Sequence, residues 1–98
     1  MTMSDLIRKE ARLIILKALN EQPDGRLNSE LLRVTLEAFG IMQTRDFVHD
    51  ELGWLENMGA VKLNEAGTTR IAALTIKGRD HVEKRIIIEG VKRPSAEL

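Results

Sequence analysis

Cysteine is absent from the 98 residues, which excludes disulfides, thiolate metal sites and a cysteine nucleophile and agrees with a reducing, cytoplasmic setting. Stability must come from packing. The longest apolar run near the N-terminus, Leu13 to Leu16, has four residues, too few for a signal-peptide core or a membrane span, so no membrane association is expected. Net charge is lacking too: 15 basic residues cancel 15 acidic ones, so the simplest sign of nucleic-acid binding, a strongly basic domain, is missing. Histidine is limited to His49 and His81, neither with a ligand partner one helical turn on, and no metal or other cofactor is expected. There is no glycine-rich phosphate loop. Ser29 and Thr68-Thr69 lack a histidine-based activating arrangement, and no inward-facing carboxylate pair is evident, so an enzyme is not expected.

What is present is an ordinary globular balance of 43% hydrophobic and 31% charged residues, enough for one core in one domain over about 1–93, with a loose tail over 94–98. Ser4 can cap a first helix in which Ile7, Ala11, Ile14 and Ala18 keep to one face. Its second half, Leu13-Ile-Ile-Leu-Lys-Ala-Leu19, is apolar nearly all round, so that face leaves Leu13, Leu16 and Leu19 to be covered by something else. Pro23-Asp24-Gly25 is a turn before a short extended link at Arg26-Leu27. A second helix follows, capped by Asn28 or Ser29, with Leu31, Leu32, Leu36 and Phe39 at helical spacing and Gly40 at its end. After the link Ile41-Met42-Gln43, Thr44 caps a third helix whose buried stripe is Phe47, Val48, Leu52, Leu55 and Met58, and Gly59 stops it. The period then changes to two: Val61 to Leu74 reads as a hairpin turning at Glu65-Ala66-Gly67-Thr68. Thr75 caps a fourth helix expected to run to about Ile88, with Val82 and Ile86 on one side. The fold expected is mainly α with a small β hairpin, a winged helix-turn-helix in the order ααα-ββ-α.

The segment FVHDELGWLENMGAVKL from Phe47, with LTIKGRDHVEKR from Leu74, resembles the recognition helix, wing and following helix of bacterial ArsR- and MarR-type regulators. Over nearly the whole chain, ARLIILKAL, LEAFG, RDFVHDELGWLENMGAV, IAALT and IEGVKRPS are similar to short winged-helix proteins of Mu-like transposable phages and prophages. That resemblance implies a phage or prophage origin and a DNA-binding or regulatory role, with no catalytic residues to carry over. Relatives tend to have arginine and tryptophan around the positions of His49 and Phe47.

If the third helix enters a major groove, Gln43, Thr44, Arg45 and His49 face the duplex, with Arg45 suited to a guanine edge, Gln43 to adenine and Thr44 to phosphate. In the wing, Lys62 and Arg70 suit phosphate or minor-groove contact. Each also has a plain structural reading, a cap for Thr44 and a solvated surface for the cations. The objection lies in the third helix itself, where Arg45 stands alone against Asp46, Asp50, Glu51 and Glu56, because phosphate repels carboxylates. Asp46 and Glu51 can face sideways toward Arg12 or Arg33, which would soften it. Trp54 suits either the core edge or a partner, and Gly53 permits close approach of another backbone.

Leu13, Leu16 and Leu19 with Ile86, Ile87 and Ile88 are expected to pack across a two-fold axis, making a homodimer whose third helices sit about one duplex turn apart. The leading expectation is a phage or prophage protein that binds double-stranded DNA as a transcriptional regulator or DNA-positioning factor. The alternative is a protein-protein interaction module that docks a phage or host protein through the acidic third helix.

Overall fold

The computed structural model describes residues 1–95. Helix α1, Met3–Asn20, is capped two residues before Ser4, because Thr2 and Asp5 cap each other's backbone N–H groups in a capping box. Strand β1, Arg26–Asn28, occupies the expected extended link; it is a strand because it pairs antiparallel with β3. Asn28 then caps α2, Ser29–Ala38, by accepting from the Leu31 N–H. Gly40, at φ +85°, lets the Ile41 N–H return to the Leu36 carbonyl and close that helix. Helix α3, Arg45–Asn57, is capped by Thr44, and Gly59 ends it in the same manner at φ +78°.

Strands β2, Val61–Ala66, and β3, Thr69–Leu74, form the expected wing, with Val61 opposite Leu74 and Ala66 opposite Thr69. The sheet order is β1-β3-β2. Thr75 caps α4, Ile76–Val82. The fold is a winged helix-turn-helix with one short strand more than the hairpin.

The core changes two expectations. Helix α1 is central: α2, α3, α4 and β3 all pack against it, so its all-round apolar half is covered by its own chain. Leu13, Leu16 and Leu19 are buried in that core and need no second copy to cover them. The fourth helix, for its part, stops six residues short of Ile88. Lys84 turns the backbone into the left-handed region at φ 66°, and the chain folds back as a strap that sends Ile88 and Val91 into the same core. Buried His81 organises this strap: the Ile88 N–H donates to Nδ1 at 3.0 Å, so Nε2 carries the proton and donates to the Lys92 carbonyl at 2.9 Å. Of the six residues expected at a dimer interface, Ile86 and Ile87 alone stay exposed. Leu31 in α2 and Phe39 at its C-terminal cap are exposed as well, and Leu32 and Leu36 carry the buried face of the helix.

Candidate nucleic-acid interface

Helical periodicity puts Val48, Glu51, Leu52 and Leu55 on the buried side of α3 and Asp46, Asp50, Gly53 and Asn57 along the line opposite. The four carboxylates of this helix have separate fates. Glu51 is 1% exposed and is held by Arg8 and, at 2.5 Å, by Arg12 Nε. Arg12 also donates to the Gly90 carbonyl at 2.9 Å and lies 3.8 Å over the Trp54 ring, joining α1, α3 and the strap. Trp54 is therefore a core-edge residue, pressed against Gly90, where a Cβ would collide with its ring. Arg33 serves α2 instead, pairing with Glu30 at 2.6 Å and Glu37 at 2.9 Å.

Glu56 turns to the wing. It accepts from the Leu63 N–H at 3.0 Å, on the free edge of β2. Asp46 and Asp50 are exposed and make no salt bridge among the described residues. Glu51 thus drops out of the electrostatic objection to DNA, Glu56 is tied to the sheet edge, and the two aspartates remain.

The start of α3 presents Thr44 and Arg45 to solvent, with Gln43 partly covered; the Thr44 hydroxyl is engaged as the cap, accepting from the Phe47 N–H at 3.1 Å. Arg45 reaches the neighbourhood of Glu30, whose carboxyl is held below its usual range first by the Arg33 hydrogen bond and to a lesser degree by the charge of Arg45. One turn later on the same side, His49 points inward: its Nε2 lies 3.1 Å from Ser29 Oγ. That hydroxyl also accepts from the Arg70 N–H at 3.0 Å, and Arg70 Nη1 donates to the His49 carbonyl at 3.3 Å. Arg70 Nε faces Glu65 at 3.3 Å.

Arg45, His49 and Arg70 are thereby gathered along one edge of α3. Lys62 is not. It lies opposite Ala73, while Arg70 lies opposite Glu65; strand alternation therefore puts Lys62 and Arg70 on opposite faces of the hairpin. Lys62 shares its outward face with Arg26, which also pairs with Ala73. Sequence reasoning missed this role of Ser29: it gave the residue a capping option and expected no histidine beside it, whereas His49 lies against its hydroxyl; the missing signal was that Asn28 can fill the cap and leave the serine hydroxyl unassigned.

No family model matches the chain. Uncharacterized protein gp26 of Escherichia phage Mu is 30% identical over 92 residues, covering 94% of this chain and 95% of that protein. The chain belongs to the family of that Mu protein. Among solved structures, the complex of hsRosR-S1 superposes with a TM-score of 0.63 at 25% identity, over 74% of this chain. The match spans 64% of the hsRosR-S1 chain. The complex of hsRosR-S4 gives a TM-score of 0.63 at 24% identity, over 80% of this chain and 72% of that one. Both likenesses agree with the winged helix-turn-helix assigned from the element order.

Proposed function

We propose that this protein is a DNA-binding regulator or DNA-positioning factor of a transposable phage or prophage, acting in the cytoplasm. The observation that carries the reading is the grouping of Arg45, at the start of α3, with Arg70, held against the same helix by the His49 carbonyl. Both cations lie at the junction of reading helix and wing, where a winged helix meets a duplex. Arg45 suits a guanine edge, with Gln43 beside it, and Arg70 suits phosphate. The Glu65 partner of Arg70 is 72% exposed, so a phosphate displaces it at small cost. His49, with Nε2 turned to Ser29, supports the wing through its carbonyl. Its ring is left with Nδ1 for any outward contact.

Fluorescence anisotropy with prophage and random duplexes tests this. Affinity falls steeply with salt, Arg70→Ala lowers the salt slope by about one, and Arg45→Ala relaxes sequence preference more than Arg70→Ala does. Binding weaker than about 10⁻⁴ M to every duplex in moderate salt rejects the reading.

A homodimer forms part of this proposal. Its support is reduced to exposed Ile86 and Ile87 at the strap, and light scattering that returns a monomer at high concentration excludes it. A second reading, docking of a phage or host protein on α3, is favoured by the outermost line of that helix. Asp46, Asp50 and Asn57 flank Gly53 there, and a Cβ on Gly53 would meet nothing within 4 Å. Nothing among the described residues therefore requires a glycine at this mid-helix position, although glycine costs about 1 kcal/mol relative to alanine there. Measurable duplex binding by the isolated chain, with no partner captured, counts against this second reading.

A further inference from the structure

We infer that Ser29 is a positioning residue that fixes the wing against α3, so that Arg45 and Arg70 meet a duplex as one rigid pair; this rests on the DNA-binding reading above. Ser29 is the first residue of α2, a place where a hydroxyl commonly competes for the cap. Asn28 already holds that cap. The Ser29 side chain is left over for another task, yet the residue is 2% exposed, and a buried hydroxyl without partners is costly.

Its partners come from two other elements. Oγ accepts the Arg70 N–H of β3 and lies against Nε2 of His49 on α3. A serine hydroxyl has one proton. Its two lone pairs let Oγ take the Arg70 N–H and still share a hydrogen bond with His49 Nε2 in either tautomer of the ring. Arg70 then returns through its guanidinium to the His49 carbonyl, closing a ring of contacts through Ser29, His49 and Arg70. Beyond Arg70 the hairpin from Glu65 to Thr69 makes no hydrogen bond to a helix among the described residues. Ser29 therefore sits at the last tether before the wing tip.

The test is a pair of measurements on Ser29→Ala. In the free protein, amide exchange at Arg70 is expected to become about fivefold to tenfold faster, as loss of one ordinary hydrogen bond implies, while exchange in α1 stays at the parent rate. With a duplex that the parent binds, Ser29→Ala weakens affinity severalfold, and the same substitution made on Arg70→Ala weakens it little further. Ser29→Cys, close in shape but with a sulfur that accepts hydrogen bonds only weakly, shows both effects in smaller degree and serves if Ser29→Ala does not fold. Unchanged Arg70 exchange, or an equal affinity loss with and without Arg70, in a parent that binds DNA overturns the role of Ser29 alone. A parent that binds no duplex overturns the DNA reading and this role with it, even where the exchange result shows that the tether exists.

Discussion

Glu51→Gln removes one charge from the inside of the domain and almost no volume, which makes it the cleanest probe of what holds α3. The Glu51 side chain is 2% exposed, Arg12 is 12% exposed and Arg8 is 41% exposed. Arg8 can turn to water when the carboxylate is gone, so its pair contributes little. Arg12 cannot. It keeps the Gly90 carbonyl and the Trp54 face, but a nearly buried guanidinium has lost its counter-charge. Removing one partner of a buried pair costs about 3–5 kcal/mol, and the contacts Arg12 retains place this case near 3 kcal/mol. For a domain of this size that corresponds to a melting point lower by roughly 12–24 °C. Urea melts of the parent, Glu51→Gln, Arg12→Met and the double variant measure the coupling directly. The Gln substitution should cost less than half as much once Arg12 is absent. An equal loss in both backgrounds, or a single variant melting within about 3 °C of the parent, refutes the assignment of Arg12 as the residue that holds Glu51.

Two further outcomes concern packing and capping. Gly78→Ala places a Cβ over the Ala60 carbonyl oxygen and 2.7 Å from Leu74 Cδ1; the same carbonyl accepts from the Thr75 N–H, so it cannot move freely. The expected loss is at least about 3 kcal/mol by urea titration, and near-parent stability contradicts the close seat of α4 on the sheet. Asp5 is held below its ordinary value of 3.8, first by the Thr2 backbone N–H and then by the Thr2 hydroxyl. A lowered folded value means the cap's contribution is complete above pH 3.8 and is lost as pH falls through that lowered value. An NMR titration of Asp5 should show this, with Thr2→Ala giving a partial return toward the ordinary value; an Asp5 titration unchanged by Thr2→Ala denies the hydroxyl its part.

Local chemistry made much of the fold legible. Thr44, Gly40 and Gly59 mark helix ends through caps and positive φ, and the change from helical to alternating period marks the wing; each depends on a few adjacent residues. The end of α4 was not legible, because Lys84 adopts its left-handed turn without glycine and the apolar spacing of Val82 and Ile86 continues a helical pattern. What decides that segment is His81 reaching across to Ile88 and Lys92, a tertiary contact with no local sign. The cap of α1 was misplaced although Thr2 and Asp5 have the spacing of a capping box. At the candidate interface, residue types identified the cations, but only the strand register separates Lys62 from Arg70, and only burial gives Ser29 a partner.

Glu56 has a mechanical consequence. Its carboxylate covers a backbone donor on the open edge of β2, a place where another chain could otherwise add a strand. The same helix therefore faces outward with Asp46 and Asp50 and guards the sheet from intruding strands. Rocking α3 away from the wing would uncover that edge, so the contact that ties helix to hairpin also shields the strand from a neighbouring chain.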